Sequence, residues 1–116
     1  MDLTMVIQIF GTLKCKETQK AIRFFKERKI SPHFVDLNEK AITKGELDNI
    51  SQSIPLDDLL DRESKDFKRK GLGFMVFDTE VLLLENPLLF KTPIVRCEKK
   101  TTLGYEPEIW KNWLKD

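Results

Sequence analysis

Apolar and polar residues change rhythm repeatedly along this chain, and each change marks a different kind of element. Met5-Val6-Ile7-Gln8-Ile9-Phe10 is a short run rich in β-branched residues, closed by Gly11, and predicts a buried central strand. Beyond Lys14 the period becomes helical. Ala21, Ile22 and Phe25 recur with Lys20, Arg23, Lys26 and Glu27 between them, so residues 16–29 predict an amphipathic helix. His33-Phe34-Val35-Asp36-Leu37 then alternates with period two, as a half-buried strand does. Strand, helix and strand within so short a stretch make a βαβ unit, for which a right-handed parallel crossover is expected.

The middle of the chain, residues 43–90, predicts several short helices inserted between sheet strands. Thr43 and Glu46 have capping-box spacing, the Thr hydroxyl meeting one free backbone N–H while the Glu reaches back to another. Pro55 suits a first helical turn, with Asp57 and Asp58 near the positive end of its dipole. Ser64 can cap a short basic helix that stops at Gly71, and Asp78 or Thr79 another that ends near Asn86-Pro87. Sheet then returns: Pro93-Ile94-Val95-Arg96-Cys97 and Lys100-Thr101-Thr102-Leu103 flank Glu98-Lys99 as a β-hairpin. Pro107 opens a last helix in which Ile109, Trp110, Trp113 and Leu114 share one face and are expected in the core. The order β-α-β, helices, β-β-α predicts an α/β fold. At 116 residues, without repeats or low-complexity linkers, it is expected to form one domain, residues 1–116, with the helical insert over about 43–90.

Composition narrows the functional classes. A 41% hydrophobic and 34% charged chain is globular rather than disordered. Its 20 basic and 19 acidic residues leave a net charge of +1, which gives no footprint for direct nucleic-acid binding or for an anionic membrane. Met1-Asp2-Leu3-Thr4 lacks the features of a signal peptide, and apolar runs such as Val81-Leu82-Leu83-Leu84 are too short to span a bilayer, so a cytoplasmic protein is expected. Two cysteines are too few for a disulfide scaffold, and with a single His they do not make a metal site.

What remains is thiol chemistry at Cys15. It stands where the first strand has ended and the first helix begins, and a helix N-terminus favours the thiolate, which is the nucleophilic form. Lys14 and Lys16 flank it with positive charge, and the Thr18 hydroxyl and the N–H groups of residues 16–18 can stabilise the anion. Thr92-Pro93 opens the third strand. A proline there, in a domain that starts strand-Cys-helix, is expected to be cis and to face the thiol, leaving backbone groups of Thr92 to pair with a bound peptide or with glutathione. Cys97 is four residues beyond Pro93, about 13 Å along an extended strand, whereas a disulfide needs Cα atoms within about 7 Å. It reads as a strand-end residue and not as a resolving thiol. His33 and the basic stretch Arg62 to Lys70 read as solvated surface.

Gly11-Thr12-Leu13-Lys14-Cys15-Lys16-Glu17-Thr18-Gln19-Lys20-Ala21, Leu89-Phe90-Lys91-Thr92-Pro93-Ile94-Val95 and Leu103-Gly104-Tyr105-Glu106-Pro107-Glu108-Ile109-Trp110 together make this chain similar to the arsenate reductase/Spx family. The resemblance runs over nearly the whole chain, including Asp57-Asp58-Leu59-Leu60 and Phe67-Lys68 of the insertion. It implies a thioredoxin-like fold with a mixed four-stranded sheet and a helical insertion between the second and third strands.

The departures from the family's pattern are as informative. Spx-type regulators and dithiol members carry a second cysteine three residues after the first, where this chain has Thr18. Glutaredoxin-coupled arsenate reductases carry an arginine immediately before the strand-opening proline, which is Thr92 here, and a His-Asn pair where this chain has Gly11 and Thr12. Their insertion also carries an arginine that falls near Asp61 to Glu63. Arg62 and Lys91 are therefore the candidate anion contacts, and Thr12, Thr92 and Pro93 the candidate docking surface.

The resemblance implies, first, a monothiol oxidoreductase acting through Cys15, with no bound cofactor and with glutathione or another low-molecular-weight thiol as co-substrate, or a glutaredoxin- or thioredoxin-type protein as partner. The alternative is an Spx-like regulator that docks on RNA polymerase, and the third reading is a true arsenate reductase.

Overall fold

A computed structural model describes residues 6–115. Met5 and the residues before it, which the strand and leader readings touched, lie outside the described residues. Chain contacts divide the protein into two compact units, Met1–Asp36 with Thr92–Asp116, and Leu37–Lys91.

The first unit holds the sheet. β1 (Ile7–Gly11), β2 (His33–Asp36), β3 (Ile94–Cys97) and β4 (Lys100–Leu103) lie in the order β2-β1-β3-β4. β1 pairs parallel with β2 and antiparallel with β3, and β3 pairs antiparallel with β4, so the sheet is mixed. Gly11 lies inside β1, opposite Asp36, rather than beyond its end. β1 is central and buried because its apolar run leaves no polar side chain to solvate except Gln8, whose Oε1 accepts a hydrogen bond from Arg96 Nη1 at 3.2 Å. Residues 98–99 form the hairpin turn, with Glu98 in the left-handed region at φ 58°.

α1 (Lys16–Glu27) turns Thr18, Ala21 and Phe25 inward at helical spacing, with Phe24 beside them, as one apolar face requires. Ala21, Phe24 and Phe25 pack with Ile7, Ile9, Val95 and Cys97 of the sheet and with Trp110 and Trp113 of α6 (Pro107–Trp113). Trp110 is 0% exposed. Its ring lies 5.3 Å from Phe24, 5.2 Å from Phe25 and 5.6 Å from Tyr105, and its indole N–H donates to Thr102 Oγ1 at 2.8 Å. Ile109 departs from the expected core face and is 41% exposed. α6 is only seven residues long, so the two tryptophans, three positions apart, fill the narrow face it buries.

The second unit, spanning the insertion, is built of short capped helices: α2 (Lys44–Ser51), α3 (Leu56–Leu59), α4 (Lys65–Arg69) and α5 (Thr79–Glu85), with 3-10 turns at Leu72–Phe74 and Pro87–Leu89. The caps follow the local chemistry. Thr43 and Glu46 close a reciprocal capping box, Ser64 accepts from the Phe67 N–H, and Asp78 accepts from the Val81 N–H. Gly71, at φ 67°, takes the left-handed turn after α4 that a side chain would resist. Pro55 sits one position earlier than expected, as the N-cap of α3. Leu60 bridges Phe90, and the Lys91 N–H donates to Leu59 O at 2.7 Å, which ties the two ends of the insertion together. Among the described residues, no helix is long and apolar enough to cross a membrane.

Candidate functional site

The first unit brings five of the expected residues together: Cys15, Thr12, Thr18, Thr92 and Pro93. Cys15 is the N-cap of α1, with extended backbone angles (φ −77°, ψ 116°). Its N–H donates to Thr12 O and its C=O accepts from the Gln19 N–H, each at 3.1 Å. The loop before it is fastened again by Gln19 Nε2, which donates to Leu13 O. Gln19 was not a candidate from the sequence. An amide one helical turn after the cysteine, facing back across a four-residue loop, is the signal that would have pointed to it.

The sulfur is partly buried, and its S–H points to Thr92 O at 3.8 Å. The Thr92-Pro93 bond is cis, and Pro93 O accepts from the Gly104 N–H at 2.8 Å, which joins this turn to the end of β4. Thr18, in the first turn of α1, is fully buried, and its Oγ1 has no hydrogen-bond partner. That leaves a hydroxyl hydrogen available to the sulfur once the S–H proton has gone.

These neighbours set the acidity of Cys15. Burial of the sulfur is the largest single influence and raises its pKa. Hydrogen bonds that the thiolate can accept from the Thr18 and Thr92 hydroxyls and from the N–H groups of Thr18 and Glu17 outweigh it, and the thiol sits below its ordinary value. Lys14 and Lys16 were expected to share this work. Both are exposed, and the groups that lower the thiol's pKa are hydrogen-bond donors rather than these charges. Water screens an exposed ammonium, whereas a buried hydroxyl acts at contact.

Thr12 is half-buried and serves through its carbonyl. Arg62 and Lys91 belong to the other unit. The Arg62 guanidinium lies 5.7 Å from the rings of both Phe67 and Phe77, and Lys91 is an exposed side chain on a backbone tied to Leu59.

Cys97 is buried, and burial followed by the neighbouring Glu98 pushes its pKa up, partly offset by Lys100. It pairs with Ile7 at the start of β1, whereas Cys15 follows the end of β1 at Gly11. That separation is about 13 Å along the strand, beyond the Cα reach of a disulfide of about 7 Å. Oxidised protein should therefore yield mixed disulfides or intermolecular dimers that Cys15→Ser abolishes. Peptide mapping that recovered a Cys15–Cys97 crosslink in good yield would contradict this register.

Elsewhere in this unit, a groove of about 530 Å³ runs between α1 and α6, over Phe24 and Tyr105. It is lined by cations and carboxylates but by no cysteine. Among the described residues, no group of three or more His, Cys, Asp or Glu is placed to hold a metal ion.

A cysteine at the first strand–helix junction, on a sheet ordered β2-β1-β3-β4 and covered by α1 and α6, places the protein in the thioredoxin-like α/β class. Within that class, the ArsC family model matches residues 10–113, and the chain belongs to the ArsC family. It is 29% identical over 115 residues to the global transcriptional regulator Spx 2 of Oceanobacillus iheyensis, covering 95% of this chain and 84% of that one. Among solved structures it is similar to an arsenate reductase from Vibrio cholerae, with a TM-score of 0.78 at 22% identity over 95% of this chain and 98% of that one. It is also similar to a putative ArsC family related protein from Bacteroides fragilis, with a TM-score of 0.77 at 24% identity over 93% and 98%.

Proposed function

We propose that this chain is a monothiol oxidoreductase of the ArsC family whose nucleophile is Cys15. The observation that carries the reading is the sulfur's setting. It is a single accessible thiol at a helix N-terminus, ringed by hydroxyl and amide donors that favour its anion, with the second cysteine buried in the core.

The Cys15 thiolate attacks one sulfur of a disulfide substrate. A new S–S bond forms to Cys15, the old one breaks, and the leaving sulfur departs with the electron pair and takes up a proton. Thr18 stands where dithiol relatives have their second cysteine, so the mixed disulfide is opened from outside. The thiolate of glutathione, or of a glutaredoxin-type partner, attacks the substrate-derived sulfur and returns Cys15 to its thiolate. A second thiolate then attacks the sulfur that the first thiol contributed to this new mixed disulfide and releases the rest of the substrate as a thiol. The substrate is thereby reduced, and two external thiols are oxidised to a disulfide. Thr92 and Pro93 form the surface on which the thiol partner docks.

The test is intact-mass analysis after treatment with glutathione disulfide and then glutathione. The expected result is one glutathione adduct on Cys15, discharged by glutathione, with turnover abolished in Cys15→Ser. An adduct confined to Cys97, or one on Cys15 that glutathione does not discharge, would contradict it.

A second reading is supported by the relative named a global transcriptional regulator. On that reading the chain docks on RNA polymerase and the cysteine only senses oxidation. Co-purification with polymerase subunits, without thiol turnover, would favour it over the oxidoreductase.

A further inference from the structure

Gly11 ends β1 at a point where there is no room for a side chain, and Thr18 occupies the space. A Cβ at Gly11 would stand 2.4 Å from Thr18 Oγ1, 2.7 Å from its Cγ2 and 3.1 Å from its Cβ. Non-bonded heavy atoms rest at about 3.5–4.0 Å. Thr18 cannot yield as a long side chain would: it is fully buried, β-branched and in the first turn of α1, where only two χ1 rotamers are open to it. Its Oγ1 is buried without a partner, and it is one of the groups that favour the Cys15 thiolate. A methyl at position 11 must rotate that hydroxyl away or push the start of α1 off the strand, and either shift takes a donor from Cys15.

We infer that Gly11 is a positioning residue for Cys15: the side chain it lacks is the space in which the Thr18 hydroxyl is held against the sulfur. The residue pattern alone assigns Gly11 no such part, since a glycine after an apolar run reads as the end of a strand. The inference rests on Cys15 being the reactive thiol, but its readout is the sulfur's own titration and needs no substrate.

The experiment follows iodoacetamide alkylation against pH in a Cys97→Ala background, so that Cys15 alone reports. It compares the parent with Gly11→Ala, Thr18→Val, Thr18→Ala and Gly11→Ala/Thr18→Ala. The midpoint of Gly11→Ala should rise to meet that of Thr18→Val, which removes the hydroxyl and keeps the volume. Below both midpoints, the rate should fall ~10-fold for each unit of that rise. In the Thr18→Ala background, Gly11→Ala should add much less, because the hydroxyl and methyl it strikes are gone and only the 3.1 Å approach to the Cβ of residue 18 remains.

A Gly11→Ala midpoint equal to the parent's, or an equal rise in both backgrounds, would overturn the inference. Should Gly11→Ala alone fail to fold, the double variant decides. Its recovery of the fold shows that the space belongs to Thr18, and its failure shows that Gly11 is needed for another reason. A parent midpoint at the free-thiol value would defeat both this inference and the oxidoreductase reading. A low parent midpoint unmoved by Gly11→Ala defeats the inference alone.

Discussion

Arsenate reduction, assayed with glutathione and a glutaredoxin, should be negligible for the wild-type chain, and Thr92→Arg should recover part of it. Arsenate is a multiply charged oxyanion, and a guanidinium fork holds such a group by paired, charge-assisted hydrogen bonds. The family's reductases are expected to present one from the residue before Pro93. Here that residue is Thr92, whose carbonyl accepts the Cys15 S–H and whose hydroxyl helps to ionise the thiol. Arg62 is already laid over Phe67 and Phe77, and a lysine is a point charge that does not reproduce the fork. Each charge-assisted bond is worth about 1.5–3 kcal/mol, and each ~1.4 kcal/mol is tenfold in rate, so losing one or two costs orders of magnitude. In Thr92→Arg the new charge replaces the hydroxyl in favouring the thiolate, so the nucleophile is retained while the clamp is gained. Brisk wild-type turnover at low arsenate would show that the anion is held by other groups.

Trp110→Ala should destabilise the protein by about 3–5 kcal/mol, the usual range for truncating a large buried aromatic side chain. The indole fills the space between Phe24, Phe25 and Tyr105 and donates to the buried Thr102 hydroxyl, so its removal opens a cavity and orphans a polar group together. Trp110→Phe should cost less, keeping most of the packing and losing the N–H. Denaturant unfolding followed by circular dichroism measures both. A change under ~1 kcal/mol for Trp110→Ala would mean that α6 is not an integral part of this core. The result bears on the site, because Phe24 and Phe25 are the inner face of the helix whose first turn holds Cys15.

Local chemistry explains what could be read before the structure. The Thr43–Glu46 box, the Ser64 and Asp78 caps and the turn at Gly71 each need only a few consecutive residues. Period-two and helical spacing did the same for the strands and α1. The position of Cys15 was legible for that reason, because a strand that ends and a helix that begins are both local events.

What was not legible depended on approach between distant segments. That the four strands join in one mixed sheet was implied by resemblance rather than by pattern, and their order came only with the structure. Lys14 and Lys16 looked important because they are adjacent in sequence, but a buried hydroxyl one helical turn away and another from the residue before Pro93 act at contact while the lysines face water. Ile109 fits a helical stripe on paper, but the short α6 buries only the width that two tryptophans occupy. The importance of Gly11 is invisible until Thr18 is packed against it.

The most direct test of the account is the pH dependence of Cys15 alkylation in Cys97→Ala, measured folded and again unfolded in denaturant. The thiolate is the reactive form, so the rate rises as pH rises through the thiol pKa, and a lowered pKa moves that rise to lower pH. The donors of Thr18, Thr92 and Glu17 are gathered around the sulfur only in the folded chain. The folded midpoint should therefore lie below the unfolded one and below the ~8.5 of a free cysteine. A folded midpoint at or above the unfolded value would contradict the claim that this fold prepares Cys15 as a nucleophile.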